Sequence, residues 1–125
     1  MYEETCQSLK AVAPGPEPGS LLAQFLVDAS WPLFGGHFPG FPLVPGVMQI
    51  EMAHRAYERV TGRRYRIVRV TKAKFMNTIA PGESVELEAS TTTQEDGIYL
   101  KSTLRKGATI VSKLSLVLAE EHDRE

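Results

Sequence analysis

WPLFGGHFPGFPLVPGVMQIEMAHRAYERV, residues 31–60, decides how the rest of the chain is read. Its first half, Trp31 to Gly46, holds four prolines and four glycines among large apolar residues. Loops are usually polar. An apolar loop stiffened by proline marks fixed backbone, either around a site or in a tightly packed connection. The second half reads as a helix. Pro45-Gly46 opens it, because a proline's missing N–H would be unpaired in the first turn anyway. Ile50, Ala53, Ala56, Tyr57 and Val60 fall within one arc at the 3.6-residue period, with Met52 at its margin. Val47 and Met48 add apolar surface outside that arc, which predicts a helix start buried nearly all round. Gly62 is the predicted stop.

Outward from this helix the pattern changes. Residues 11–20 (AVAPGPEPGS) carry three prolines and two glycines, so 1–20 read as an irregular leader. Leu21 to Asp28 is a mostly apolar strand. Past Gly62 everything reads as strands: Tyr65–Val70 and on to Phe75, then a Pro81-Gly82 turn. Val85, Leu87 and Ala89 next alternate with Glu86, Glu88 and Ser90, as a half-buried strand requires. Asp96-Gly97 is a hairpin signal and Lys106-Gly107 turns the chain again into Ile110, Leu114, Leu116 and Leu118. The expected organisation is a single domain over 21–119 with a solvated tail at 120–125. One buried helix against sequential antiparallel strands is an α+β layout, the sheet wrapping the helix.

Composition bounds the function. The chain has 125 residues, 42% hydrophobic and 23% charged, in the range of a soluble globular domain. Lys plus Arg number 14 and Asp plus Glu 15, which speaks against a nucleic-acid binder held by bulk charge. The single cysteine, Cys6, allows neither an internal disulfide nor a cysteine-built zinc site. The acidic start lacks the features of a signal peptide, and no apolar run is long enough to span a bilayer; the expected compartment is the cytoplasm.

Three positions combine into chemistry. His37 lies in the apolar loop, where a histidine either hydrogen-bonds neighbouring backbone or, held neutral by desolvation, serves as a base. Glu51 lies on the helix. It is either half of an i,i+4 pair with Arg55 on a solvated face, or a partly buried carboxyl able to act as an acid. Gly46 is at the helix N-terminus, where unpaired N–H groups and the macrodipole polarise a carbonyl docked there. Base, acid and carbonyl donor together suit removal of an α-proton and loss of a β-hydroxyl, with no metal or organic cofactor required. His54, three residues after Glu51, reads as a packing residue or a neighbour's hydrogen-bond partner.

The stretch GHFPGFPLVPGVMQIE, Gly36 to Glu51, resembles the signature of the β-hydroxyacyl-ACP dehydratases: His-Phe-Pro-Gly, a proline pair, Pro-Gly-Val, and an acid fourteen residues after the histidine. AKFMNTIAPGESVELE, Ala73 to Glu88, is similar to the family's second block. The resemblance implies a hot-dog fold, with the helix as the sausage and the sheet as the bun. It implies dehydration of a (3R)-hydroxyacyl thioester carried on the phosphopantetheine of an acyl carrier protein. It also implies a homodimer or a trimer of dimers, in which His37 of one protomer faces Glu51 of the other. His37 would take the α-proton, Glu51 protonate the hydroxyl, the Gly46 N–H hold the carbonyl, and Phe38 and Val47 line the acyl tunnel. Arg55 stands where the family often has glutamine, a basic group able to pair with Glu51 and oppose its protonation. No Pro-His-Arg segment precedes the first block, which fits a specialised pathway of polyketide or aryl-polyene type.

Seven basic residues and no acid lie between Arg59 and Lys74: Arg59, Arg63, Arg64, Arg66, Arg69, Lys72 and Lys74. They read as a docking face for an acidic carrier protein or as a solvated strand face. Neither a membrane nor a nucleic acid is an expected partner. Two other functions compete with the dehydratase: a non-catalytic acyl-binding partner subunit, and a thioesterase whose helix carboxylate activates water.

Overall fold

Residues 2–30 and 44–121 are described in the computed structural model. The predicted helix runs over Gly46–Thr61 (α2). Gly62 ends it in the left-handed conformation at φ 72°, its N–H donating to the Glu58 carbonyl, the cap a glycine adopts at least cost. A short helix, Tyr2–Ser8 (α1), precedes the strands β1 Leu9–Pro14 and β2 Ser20–Leu26. After α2 come β3 Tyr65–Phe75, β4 Ser84–Gln94, β5 Gly97–Lys106 and β6 Thr109–Glu120. They form one antiparallel sheet in the order β1-β2-β4-β5-β6-β3.

Alternation sets the register. Leu21, Ala23 and Phe25 of β2 stand opposite Ala89, Leu87 and Val85 of β4, and all six are buried. The ladder continues through Leu87 opposite Leu104 and Leu100 opposite Leu116. A one-residue slip would turn this whole apolar set to solvent, so the pairing is strongly specified. The helix inserts Met48, Met52, Ala53, Ala56 and Tyr57 into the same core. It touches β1 and β2 at one end of the sheet and β3 at the other. One helix reaching both ends requires the sheet to curl around it, as the sequence pattern predicts.

Four details differ from the expectations. The leader read as irregular carries α1 and β1. β1 pairs with β2 through Val12 opposite Ala23, Pro14 ends β1 opposite Leu21, and the prolines and glycines of 15–19 form only the connection between the two strands. The tail read as starting at 120 does not: Glu120 ends β6, and the Glu121 N–H donates to the Arg64 carbonyl; residues 122–125 lie outside the described residues. The second hairpin turns at Glu95-Asp96, and Gly97 opens β5. At φ 144° Gly97 packs so closely that an added Cβ would stand 2.5 Å from the Leu118 carbonyl oxygen, so only glycine fits. The buried helix face includes Gln49 and His54, while Ile50 and Val60 are only partly buried and Val47 is 55% exposed. The helix start is therefore not buried all round. A face predicted from apolar side chains alone omits polar ones such as His54, whose Nε2 finds the Tyr65 carbonyl inside.

Candidate active site

The site is built around the first two turns of α2. Pro45 precedes the helix in extended backbone, at φ −67° and ψ 154°, so its carbonyl points down the helix and accepts from Met48 and Gln49. No side chain caps the start and no acid lies in the first turn. Among the described residues nothing accepts from the N–H groups of Gly46 and Val47. The Val44 N–H donates to Ile79 O at 2.9 Å, tying this entry to the segment after β3. From the end of β3 the Phe75 ring lies over Gly46, where an added Cβ would be 2.8 Å from Cζ. Glycine is thus needed for the approach of that ring, a constraint that local sequence does not reveal. Phe75 is 46% exposed and, with Val47 and Met76, leaves apolar surface beside the bare amides.

One turn further, four charged or titratable side chains of α2 interlock. Arg55 donates from Nε to Glu51 Oε2 at 2.9 Å, and its terminal nitrogens lie 2.9 Å from the same oxygen and 2.7 Å from Glu58 Oε1. Glu51, Arg55 and Glu58 keep 23%, 20% and 16% of their side chains exposed, so the cluster sits at the wall of the protein. The i,i+4 pairing of Glu51 with Arg55 is therefore formed, and the partial burial expected of Glu51 is found with it. Glu58 Oε2 accepts from the Tyr65 N–H at 2.9 Å, while His54 Nε2–H donates to the Tyr65 carbonyl at 2.6 Å. Two helix side chains one turn apart thus hold both backbone polar groups of the first residue of β3. Tyr57 packs on the Tyr65 ring at 4.8 Å between centroids.

The electrostatics follow. Burial alone would push the Glu58 carboxyl up, but the Tyr65 N–H, the Arg55 guanidinium and His54 outweigh it and hold it below the ordinary range. For Arg55, burial works against the charge, and the Glu58 and Glu51 carboxylates overcome it. Tyr57 is pushed up to about 12, first by burial and then by the Tyr65 hydroxyl. Beside the cluster opens a cavity of about 420 Å³, its wall shared by Glu51, His54, Arg64, Tyr65, Arg66 and Glu121.

His37 and Phe38 lie outside the described residues, as does the apolar loop over 31–43. Gly46, Val47 and Glu51 are brought to one end of α2, with Phe75 added to them. Sequence reading treated His54 as a packing or hydrogen-bonding residue, and it is one. Its closeness to Glu51 was signalled only by the i,i+3 spacing. Gln49, buried in the first turn, leaves Oε1 without a partner among the described residues. Among those residues no group of three His, Cys, Asp or Glu side chains is close enough to hold a metal ion.

All seven basic residues of the stretch are exposed. Arg63 pairs with Glu120 at 3.0 Å, and Arg69 pairs with Asp96 at 3.1 Å. Among the described residues Arg59, Arg64, Arg66, Lys72 and Lys74 make no ion pair. No helix in the described residues is long and apolar enough to cross a membrane.

Comparison with known proteins agrees with this architecture. The chain is similar to the 3-hydroxyacyl-(acyl-carrier-protein) dehydratase FabZ of Polynucleobacter necessarius, 34% identical over 64% of this chain and 58% of that protein. It is 31% identical to FabZ of Chloroflexus aggregans over 66% and 62% of the two. The matched stretch thus spans less than two thirds of the length of these relatives. Among solved structures, the dehydratase heterocomplex ApeI:P from Xenorhabdus doucetiae superposes with a TM-score of 0.71 at 21% identity, covering 89% of this chain and 96% of that one. The fluoroacetyl-CoA thioesterase FlK superposes at 0.68 and 15% identity, covering 86% and 90%. At such identities the likeness carries the fold alone, and that fold is the hot dog. The model of the ApeI-like dehydratases matches residues 15–113, and the chain belongs to that family.

Proposed function

We propose that the protein dehydrates a (3R)-hydroxyacyl thioester, held on the phosphopantetheine of an acyl carrier protein, to the trans-2-enoyl thioester and water. The observation that carries this reading is the pairing, on one helix, of uncapped N–H groups at Gly46 and Val47 with the half-buried carboxyl of Glu51. The thioester carbonyl docks on the bare amides, which with the helix dipole stabilise the enolate-like charge that develops. His37, from the partner protomer, takes the α-proton. The electron pair left on the α-carbon forms the double bond, the β C–O bond breaks, and Glu51 gives its proton to the departing hydroxyl. His37 then loses its proton to solvent and Glu51 regains one, so no net proton is consumed. Val47, Phe75 and Phe38 line the acyl path. The chemistry calls for no cofactor beyond the carrier's own arm.

The assembly reading is a homodimer, alone or as a trimer of dimers, or a mixed assembly as the Xenorhabdus heterocomplex is. β3 supports it. This strand pairs only with β6 and leaves its other edge, eleven residues long, unpaired among the described residues. Val68 and Val70 are exposed along it. A long unpaired edge is a template for pairing with another chain. The carrier protein docks on the exposed basic residues, Arg59, Arg63, Arg64, Arg66 and Arg69, of which Arg63 and Arg69 already have partners in the chain. The pathway is fatty acid, polyketide or aryl-polyene-like synthesis, in the cytoplasm.

A second reading is a thioesterase. The Arg55 contacts on Glu51 Oε2 favour it, because a guanidinium against that oxygen suits a carboxylate that orients and polarises water. Purified protein offered 3-hydroxyacyl and trans-2-enoyl thioesters separates the two. Reversible hydration without thiol release, abolished in His37→Ala and reduced ~10²–10⁴-fold in Glu51→Gln, is the result expected of the dehydratase. Thiol release without enoyl formation assigns the thioesterase, and neither product assigns a non-catalytic subunit.

A further inference from the structure

His54 is the one buried titratable group in this cluster with a ring nitrogen unused. Its side chain is 6% exposed, and Nδ1 makes no hydrogen bond among the described residues. The other nitrogen fixes the tautomer. A carbonyl oxygen only accepts, so the 2.6 Å contact with Tyr65 O keeps a proton on Nε2. Nδ1 is then the atom free to gain or lose a proton, and it faces Glu51 Oε1 at 3.7 Å. The opposite carboxylate oxygen, Oε2, is the one Arg55 holds. Arg55 thus leaves Oε1 as the oxygen available for a proton.

With both lone pairs bare, Oε1 and Nδ1 repel across a poorly solvated gap. One proton between them turns the contact into a charge-assisted hydrogen bond, reached by closing the gap about 1 Å. Other charges facing the pair are Arg55 and Glu58 from α2, Arg64 and Arg66 from the start of β3, and Glu121 after β6. Arg64, Arg66 and Glu121 are exposed and screened by solvent.

Resting on the dehydratase reading, we infer that His54 is a positioning residue that shares one proton with Glu51 and so keeps the acid loaded at the oxygen turned away from Arg55. In each turnover Glu51 Oε1 gives this proton to the leaving hydroxyl. A solvent proton entering by the cavity beside Arg64 and Glu121 restores it on Oε1 or Nδ1, while Nε2–H stays on the Tyr65 carbonyl throughout.

The test is His54→Gln, whose side-chain amide can still donate to Tyr65 O but cannot titrate. Carbon NMR of the labelled Glu51 carboxyl and His54 imidazole is followed against pH in the intact protein. The two groups are expected to titrate together, each sensing the other's proton, and the Glu51 transition to move in His54→Gln by about one pH unit or more. In the enoyl hydration assay kcat is expected to fall about 10-fold or more, with KM changed less than two-fold and the pH profile of kcat displaced. Independent titration of the two groups, with an unmoved Glu51 transition in a folded variant, overturns the inference. So does an unchanged kcat–pH profile in an active variant. Coupled titration in a protein lacking dehydratase activity leaves the shared proton standing and removes the dehydratase reading instead.

Discussion

Replacing Arg55 with glutamine removes the guanidinium that bridges Glu51 and Glu58 while keeping much of the aliphatic stem. An exposed i,i+4 pair contributes ~0.3–0.5 kcal/mol, and a hydrogen bond to a charged group in a more buried setting ~1.5–3 kcal/mol. This guanidinium serves two carboxylates through contacts of 2.7–2.9 Å, with side chains about one-fifth exposed. That setting places its contribution between the two limits, and Gln can donate to only one of the carboxylates. The expected loss is about 1–2 kcal/mol at pH 7.5, or roughly 4–8 °C in Tm for a chain of this size. The sign with pH follows from Glu58, held below its ordinary range by the Tyr65 N–H and Arg55 against burial. A carboxyl depressed in the folded state stabilises the protein above its unfolded pKa, about 4.3, and that stabilisation is lost as pH falls through the lower folded value. The deficit of the variant is therefore complete at pH 7.5 and shrinks toward zero below about pH 4. Thermal melts of both proteins at pH 7.5 and 3.5, at one fixed protein concentration, measure it. Equal deficits at the two pH values, or none at pH 7.5, would refute an ionic role for Arg55.

Gly46→Ala sets a methyl 2.8 Å from Phe75 Cζ, so the ring must leave the helix start; activity is expected to fall about 10-fold, and Phe75→Ala in the same chain to restore part of it, measured as a double-mutant cycle. Independent effects of the two changes would remove Phe75 from the site. Met52→Ala, at a side chain with 0% exposure, is expected to cost about 2–5 kcal/mol in urea unfolding. Reversing Arg59 and Arg64 to glutamate is expected to raise KM for the carrier-bound substrate several-fold and leave KM for the same acyl chain on free pantetheine unchanged. An equal rise for both substrates would place the effect at the acyl site.

Much of this protein is written in local pattern. The helix bounds at Gly46 and Gly62 follow from proline, glycine and apolar spacing, which act within a turn. The alternation of Val85, Leu87 and Ala89 follows from the two-residue period of a strand. The pairing of Glu51 with Arg55 follows from helix geometry, which puts residues four apart side by side. Other features depend on contacts distant in sequence. β1 was hidden by the prolines and glycines just after it, and it is a strand because β2 offers an edge to pair with. The Phe75 ring over Gly46, the Leu118 carbonyl against Gly97 and the hold of His54 and Glu58 on Tyr65 each join segments that only folding brings together. Spacing along one chain describes a helix's own surface. What that surface touches is decided by the sheet that curls around it: Glu51, His54 and Arg55 are neighbours by helix spacing, and they are tied to Tyr65 through His54 and Glu58 because β3 starts beside their side of the helix.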